Sequence, residues 1–182
     1  MALGFVLLTG AVLLFLRNRE ENVEAIEISQ YVMDQMDEII KDATMEETYQ
    51  DDMPEKIIDG HGYIGYLSIP SLNLSLPVMS EWDYEKLRIA PCRYSGATNT
   101  KDMVIAAHNY YGHFGTLKNL KIKDEIYFTD MNGIICQYEV AEVLVMNPTE
   151  VDKMIESEYE LSLFTCTYGG KSRLTVRCFE VK

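Results

Sequence analysis

The sequence predicts a mainly β domain, built as a sandwich or a closed barrel, in the C-terminal two thirds of the chain. From Gly62 onward, apolar residues recur with a period close to two, which is typical of strands. Turn signals such as Met131-Asn132-Gly133 separate the apolar runs. Many short strands divided by turns are typical of all-β sandwiches and barrels.

The strand candidates follow one another at short intervals. Seven strands are predicted at residues 63–69, 74–78, 103–107, 125–128, 134–145, 162–166 and 174–181. An eighth strand is expected near residues 88–90. Two short helices are predicted at residues 82–87 and 150–156.

The N-terminal residues have a different character. Residues 1–16 are apolar apart from Thr9 and two glycines, and Arg17 and Arg19 follow. Sixteen helical residues extend about 24 Å, less than the roughly 30 Å of a hydrocarbon core. No basic region precedes the apolar run and no small-residue cleavage pattern follows it, which disfavours a signal peptide. We interpret residues 1–19 as a membrane anchor whose beginning is incomplete in this sequence.

The negative charge is concentrated in the next segment. Residues 20–59 carry 14 acidic and 2 basic side chains, whereas residues 60–182 carry 15 and 12. Apolar residues near helical spacing predict an amphipathic, solvated stalk helix over residues 20–42, packed at most lightly on the domain, with a partner-binding helix as the alternative. Residues 43–60 are expected to form a linker. The chain has no basic footprint, which argues against a nucleic-acid partner.

Residues 161–178 combine a thiol and a guanidinium at two adjoining strand ends. Cys166 ends an apolar run, a glycine-containing turn follows, and Arg173 opens the next run. This pairing indicates a nucleophile and an anion-stabilising group that face one pocket. Arg177 shares a strand face with Arg173, but Arg173 is closer to the rim that holds Cys166.

A cysteine nucleophile needs a base, because an ordinary thiol with a pKa of about 8.5 is only a few per cent thiolate at neutral pH. The chain has three histidines, His61, His108 and His113. His61 precedes the first strand, His108 follows the apolar run 103–107, and His113 lies in a loop. The residues alone leave all three open.

The other cysteines, Cys92, Cys136 and Cys178, form no CxxC pair and no spacing typical of metal ligands. Cys136 and Cys178 lie in alternating apolar runs and are interpreted as small buried hydrophobic residues. A disulfide among these three stays open.

Four separated motifs resemble the sortases, the cysteine transpeptidases of Gram-positive bacteria. The motifs, in chain order from about Gly62 to Val181, are Gly65-Tyr66-Leu67-Ser68-Ile69-Pro70 with Leu74-Ser75-Leu76-Pro77-Val78, then Ala106-Ala107-His108-Asn109, Leu163-Phe164-Thr165-Cys166, and Arg173. The resemblance implies a closed eight-stranded β-barrel. It also implies Cys166 as the nucleophile, His108 as the general acid and base, and Arg173 as the group that stabilises the oxyanion.

The resemblance further implies a substrate and a location. A sortase cleaves a sorting signal of the Leu-Pro-x-Thr-Gly type through a thioester and transfers the surface protein to an amine of a cell-wall precursor. Its catalytic domain faces the outside of the cell on a single membrane anchor, although Arg17 and Arg19 would favour the opposite orientation. We therefore expect an anchor at residues 1–19, a stalk and linker at 20–59, and a catalytic barrel at 60–182.

The subclass is left open by the sequence. Pilus-building sortases often carry a lid with Asp-Pro and an aromatic residue, and residues 43–62 contain no such motif, so pilin polymerisation is the alternative. A membrane-tethered hydrolytic cysteine protease or a non-catalytic binding module are further alternatives. No cofactor is expected. Some sortases bind calcium, but the acidic residues that could supply ligands are interpreted as solvated, and no metal is predicted; they are Glu150, Asp152, Glu156 and Glu158.

Overall fold

In a computed structural model, which describes residues 2–42 and 53–181, one long helix precedes a barrel of strands. The helix is α1, Ala2–Asp42, and a second helix, α2, spans Val151–Ile155. The described residues form nine strands: β1 Lys56–Ile58, β2 His61–Ile69, β3 Leu74–Met79, β4 Cys92–Ser95, β5 Met103–Ala107, β6 Glu125–Asp130, β7 Ile135–Met146, β8 Leu161–Cys166 and β9 Arg173–Glu180.

The strands close into an eight-stranded barrel, as predicted. Their order is β1-β2-β3-β4-β5-β8-β9-β7-β6, and an additional pairing of β2 with β6 closes the ring. β1 pairs with β2 alone and lies outside the ring. The contacts of β3 with β4 and of β5 with β8 are parallel, and the other pairs are antiparallel. Closure leaves the barrel without an exposed edge, apart from the short β1.

Alternation along the strands divides the apolar side chains between two faces. The interior holds the large core cluster, which includes Leu67, Ile105, Phe128, Leu163 and Val176, all almost fully buried. A second cluster covers part of the outer face and is completed by α1. The outer face of the barrel is therefore also packed, and this is where the helix docks.

The predicted stalk helix is present, and one of its faces packs on the barrel. One stripe of α1 is buried at i, i+4, i+7 and i+11 spacing, formed by Ala25, Ser29, Val32 and Met36. Val32 and Met36 join the outer cluster of the barrel. The solvated face carries the acidic side chains, and the alternating steps of four and three residues, close to the 3.6 residues of a helical turn, give the helix its buried face.

Two local predictions in the region between β3 and β5 are wrong. The strand expected near residues 88–90 begins only at Cys92, after Pro91, and the helix expected at residues 82–87 is a single 3-10 turn at Lys86–Arg88. The carboxylate of Asp83 accepts hydrogen bonds from the backbone N–H groups of Glu85 and Lys86, at 2.6 and 3.1 Å. This Asx turn replaces the first turn of a helix.

The predicted linker at 43–60 contains the strand β1 at its end, and residues 43–52 lie outside the described residues. For the predicted anchor, residues 2–19 are helical and continuous with the rest of α1. Within the described residues, neither helix combines the length and the apolar character needed to cross a membrane.

Candidate active site

The hairpin of β8 and β9 places Cys166 directly opposite Arg173. The two strands pair antiparallel from Leu161↔Cys178 to Cys166↔Arg173, so the last residue of β8 faces the first residue of β9. Directly opposed residues project to the same face of a sheet. The thiol and the guanidinium therefore share the outer face of the barrel at one rim, and both side chains are half-buried.

The connection between these strands is short and internally bonded. Thr167 N donates to Ser172 O at 3.0 Å, and Gly170 N donates to Thr167 O at 2.8 Å. Gly169 and Gly170 adopt positive φ angles of 79° and 70°, which glycine tolerates without strain. The turn is therefore built by nearby residues and fixes the register that brings Cys166 and Arg173 together.

His108 reaches the same rim from a third strand. β5 pairs parallel with β8, and the last pair is Ala107↔Thr165. His108, the residue after β5, therefore lies beside Cys166, the last residue of β8. The buried hydroxyl of Thr165 donates to Ala107 O at 2.8 Å. This bond ties together the two strand ends that carry the imidazole and the thiol.

One cavity brings together the three residues that the sequence singled out. Cys166, His108 and Arg173 all line a cleft of about 220 Å³ on the outer face of the barrel. The cleft continues between the loop after β3 and the segment around α2. The arrangement suits nucleophilic attack on a bound carbonyl group, because a thiol, a proton carrier and a cation border one space.

The two arginines of β9 have different environments. Arg173 Nη1 donates to Gly170 O and Ser172 O, each at 3.2 Å, and lines the cleft. Arg177 is 3% exposed and donates to Lys153 O, Met154 O and two serine hydroxyls. Arg177 therefore holds the α2 segment against the barrel, and it does not line the cleft.

The environment of His108 favours its neutral form. Burial lowers the pKa of His108, the cation of Arg88 lowers it further, and the carboxylate of Glu21 raises it. The pKa of a half-buried imidazole reports this balance of desolvation and neighbouring charge. Two charges from distant parts of the chain thus act on the histidine in opposite directions.

The other two histidines do not line the cleft. His61 opens β2 in the hairpin with β1. His113 is completely buried, and neither ring nitrogen has a hydrogen-bond partner among the described residues. Burial lowers the pKa of His113 to about 4, His108 adds to the shift, and the nearby backbone of Ile89 counters part of it. Ile89 lies close to the ring but outside hydrogen-bonding geometry.

An aromatic wall, formed by Trp82, Tyr84, Tyr94 and Phe164, borders the cleft. Successive rings meet edge to face, with centroids 5.1 Å apart for Trp82 and Tyr84, 5.4 Å for Trp82 and Tyr94, and 5.2 Å for Tyr94 and Phe164. Phe164 lies two residues before Cys166, so the wall reaches the cysteine. A surface of this kind contributes apolar contact area for a peptide ligand.

Cys166 also borders a second, more polar groove. This groove has a volume of about 620 Å³, and none of the residues of the aromatic wall lines it. Its lining includes the side chains of Asn22, Asn109, Lys118 and Tyr168. Asn22 belongs to α1, so the N-terminal helix contributes to the surroundings of the cysteine.

The sequence alone missed several of these residues. Trp82, the single tryptophan of the chain, and Tyr84 were assigned to a helix, although two aromatic residues without helical periodicity are a signal of a loop surface. The role of Thr165 was not identified. Glu21 and Asn22 gave no signal, because nothing local in an acidic helix indicates which carboxylate or amide meets a loop 89 residues away.

The remaining cysteines are separate from the site, and all four are free thiols. Burial raises the pKa of Cys92 and of Cys178 to about 12, which makes these thiols unreactive at neutral pH. Cys136 is half-buried, and burial raises its pKa as well. Cys166 is the cysteine that faces the cleft.

Glu150, the acidic residue that lines the cleft, is already paired. Glu150 accepts a hydrogen bond from Asn147 N at 2.8 Å and forms an ion pair with Lys153 at 2.6 Å. In the ranges 2–42 and 53–181, no group of three or more histidine, cysteine or acidic residues has an arrangement that could hold a metal ion.

Comparison with known proteins points to one family. A family model described as "Sortase domain" matches residues 67–181. A search of curated proteins found no significant match.

Solved structures give the same family. Sortase C1 from Streptococcus agalactiae is similar, with 26% identity, a TM-score of 0.61, and coverage of 69% of this chain and 71% of that one. Sortase C1 from Streptococcus suis has 25% identity, a TM-score of 0.59, and coverage of 66% and 73%. The sortase D5 transpeptidase of Clostridium perfringens has 19% identity, a TM-score of 0.69, and coverage of 86% and 99%, which is a likeness of fold.

Proposed function

We propose that this chain, which belongs to the sortase family of cysteine transpeptidases, joins a sorting-signal peptide of the Leu-Pro-x-Thr-Gly type to an amine of a cell-wall precursor. One observation carries the proposal beyond the family assignment. Cys166, His108 and Arg173 border a single cleft, although they come from three different strands.

The acylation step uses all three residues. The thiol of Cys166 gives its proton to His108 as its sulfur attacks the scissile carbonyl carbon of the sorting signal, and the new oxyanion lies beside the guanidinium of Arg173. When the C–N bond breaks, His108 donates its proton to the departing amine, and a thioester remains on Cys166. Stabilisation of the oxyanion by a placed donor typically contributes about 3–4 kcal/mol to such a step.

The second step returns the enzyme to its starting state. An amine of the acceptor attacks the thioester carbonyl, and His108 accepts the proton that the amine loses. The new amide bond forms as the C–S bond breaks, and the sulfur of Cys166 leaves as a thiolate that takes the proton back from His108. Transfer to an amine in preference to water makes the reaction a transpeptidation.

We also propose that the domain works at the extracellular face of the cell membrane, attached through the N-terminal segment at residues 1–19. The support is the surface of α1, where large apolar side chains such as Phe5, Leu8, Leu14 and Phe15 are 64–73% exposed. Apolar surface of this extent favours contact with lipid or protein. Fractionation of the expressed full chain, followed by protease treatment of intact cells, tests the placement.

Pilin polymerisation is a second candidate function. Class C sortases are among the solved structures of similar fold, and one of them, the sortase C of Streptococcus pneumoniae, has pilin substrate specificity. The two functions differ in the acceptor, because polymerisation joins one pilin to a second pilin, whereas anchoring uses an amine of a cell-wall precursor. A direct competition between a lysine-containing pilin peptide and a cell-wall type amine therefore separates them.

The test uses the full chain with a panel of sorting-signal peptides, with and without an amine acceptor, and follows products by mass spectrometry. We expect a covalent acyl-enzyme on Cys166 and a ligated product that requires the amine. Cys166→Ala should abolish both, whereas Cys136→Ala, at a half-buried thiol outside the cleft, should retain them. Hydrolysis that no amine diverts would indicate a protease instead, and the absence of any adduct would indicate a binding module.

A further inference from the structure

The N-terminal helix docks on the loop that follows His108. The side-chain oxygen of Asn22 accepts a hydrogen bond from the backbone N–H of Tyr111 at 2.6 Å. Gly112 packs so closely on the side chain of Ile26 that a Cβ at position 112 would overlap it. Ala25, between these contacts, is 1% exposed. Residues 22–26 therefore fix the backbone of the loop at 110–112.

A second contact links the same helix with the imidazole. The hydroxyl of Tyr110 donates to Glu21 Oε2 at 3.4 Å, and the Tyr110 ring lies 4.9 Å from the His108 ring at an angle of 37°. The other oxygen of Glu21 accepts from Arg17 at 3.2 Å. Tyr110 therefore stands between a carboxylate of α1 and the histidine of the cleft, in contact with both.

We propose that Glu21 and Tyr110 are positioning residues for His108, so that the docked N-terminal helix is a working part of the active site. The proposal rests on the proposed function. Tyr110 sets the plane of the imidazole through ring contact, and Glu21 holds the Tyr110 hydroxyl and places a negative charge near the ring. The helix thereby controls the group that must give a proton in one step and take one in the next.

The electrostatic part of this role has an opposing partner. Glu21 favours the imidazolium form of His108, and Arg88, from the turn after β3, favours the neutral imidazole. Other titratable or charged groups also face this region from the elements packed around it. They are Glu24 on α1, His113 in the loop, Cys166 at the end of β8 and Arg173 at the start of β9.

The opposition gives the proposal a distinctive signature. Removal of the Glu21 charge should shift the titration of His108 to lower pH, and removal of the Arg88 charge should shift it to higher pH. If these contacts served only to hold the helix, their loss would lower the stability of the protein and leave the titration of His108 unchanged. The direction of the shift therefore separates a positioning role from a structural one.

The experiment measures the titration of His108 by NMR in the full chain, in the Cys166→Ala background so that the thiol does not couple to the imidazole. The chain has only three histidines, which makes the signal assignable. The variants are Glu21→Gln, Tyr110→Phe and Arg88→Gln, with Glu20→Gln as a matched control on an exposed carboxylate of the same helix. In parallel, the pH profile of kcat/KM is measured with Cys166 intact.

We expect Glu21→Gln and Arg88→Gln to move the titration of His108 in opposite directions. The part of the pH profile of kcat/KM that reports on His108 should shift in the same direction as the titration. Tyr110→Phe keeps the ring contact but loses the hydroxyl, so it should lower kcat by about 3- to 10-fold with little change in KM. Glu20→Gln should match the unaltered chain. A titration unmoved by both Glu21→Gln and Tyr110→Phe would overturn the proposal, even if those variants melted earlier.

The two proposals fail in distinguishable ways. If the unaltered chain ligates peptides but the variants leave the His108 titration and the rate profile unchanged, the positioning role is refuted and the proposed function stands. If the unaltered chain forms no acyl-enzyme, the proposed function is refuted. The positioning of His108 is then decided by the NMR titration alone, which requires no turnover.

Discussion

Cys166 and Arg173 lie on two strands paired without interruption from Leu161 to Cys166, whereas His108 lies at the start of a loop that a distant helix holds. The hairpin is fixed by a backbone ladder and by a turn whose bonds join residues at most five positions apart. The loop is fixed by contacts between residues 89 positions apart. One half of the site is therefore encoded locally, and the other depends on the docking of α1.

This difference has consequences for how each half fails. Ladder hydrogen bonds between neighbouring strands persist as long as the barrel is folded. The docking of α1 rests on a few buried side chains and a small number of polar contacts, and such regions open with lower free energies than a core sheet. Changes in the hairpin should affect chemistry directly, and changes under α1 should affect chemistry through the geometry of the His108 loop.

The largest effect is expected for Arg173 in the hairpin. Arg173→Ala removes the cation that we propose stabilises the oxyanion, and it should lower kcat/KM by about 100- to 1,000-fold. The free energy of unfolding should change by less than about 0.5 kcal/mol, because the side chain is half-exposed and bonds only to its own turn. Steady-state ligation and thermal unfolding of the same preparation check both numbers.

Arg177, four residues along the same strand, is the matched control. Arg177→Met leaves carbonyl and hydroxyl acceptors unpaired in a buried site and should cost about 3 kcal/mol of stability. The folded fraction should keep its turnover. A loss of turnover with intact stability in Arg177→Met, or the reverse pattern in Arg173→Ala, would exchange the roles of the two residues.

His113, in the loop that follows His108, should make the stability of the protein sensitive to acid. Its pKa is lowered to about 4 in the fold, against about 6.5 in an unfolded chain, so the unfolded state binds the proton more strongly between these values. Stability is therefore lost as the pH falls from about 6.5 to about 4, by up to about 3 kcal/mol. His113→Leu should remove most of this loss.

Urea unfolding at a series of pH values measures the effect. His61→Gln is the control, because it changes a histidine in the β1–β2 hairpin and should keep the acid loss. If the free energy of unfolding falls with decreasing pH equally in His113→Leu and in the unaltered chain, another group is responsible for the acid sensitivity.

The contrast between the halves also explains what the sequence could predict. The bounds of β5 were predicted at both ends, and those of β8 within one residue, because alternation and turn signals lie in the strands themselves. The candidate residues Cys166 and Arg173 came from the same local pattern. His108 was separated from His61 and His113 by the family resemblance alone, because no local signal says which histidine meets a distant cysteine.

The errors have local causes too. A helix was expected around Trp82, where the carboxylate of Asp83 forms an Asx turn in competition with helical bonding. The stalk helix was predicted to be mostly solvated, because its acidic residues dominate the composition. Its buried stripe includes alanine and serine at positions 25 and 29, which carry little hydrophobic signal but allow close approach to the barrel.

A substitution at Gly112 tests how closely α1 packs on the loop that follows His108. In Gly112→Ala the new methyl group overlaps Ile26, so helix and loop must move apart, at a cost of about 1–3 kcal/mol. Ile26→Ala should cost less in the Gly112→Ala background than alone, with a coupling of about 1 kcal/mol. A double-mutant cycle by chemical denaturation measures it, and strict additivity would show that the close contact is absent in solution.

Thr165 joins the two halves, and its effect should be the smallest. Thr165→Val keeps the shape but removes the bond from Thr165 Oγ1 to Ala107 O, which should cost about 1 kcal/mol of stability. Thr175→Val is the matched control, since the buried hydroxyl of Thr175 contacts only the sulfur of Met154, at 4.0 Å, and sulfur is a weak acceptor. If the bond also sets the spacing of Cys166 and His108, Thr165→Val should lower kcat/KM about 3- to 10-fold beyond Thr175→Val. Equal activities would mean that the parallel pairing of β5 and β8 is sufficient to hold the two strand ends together.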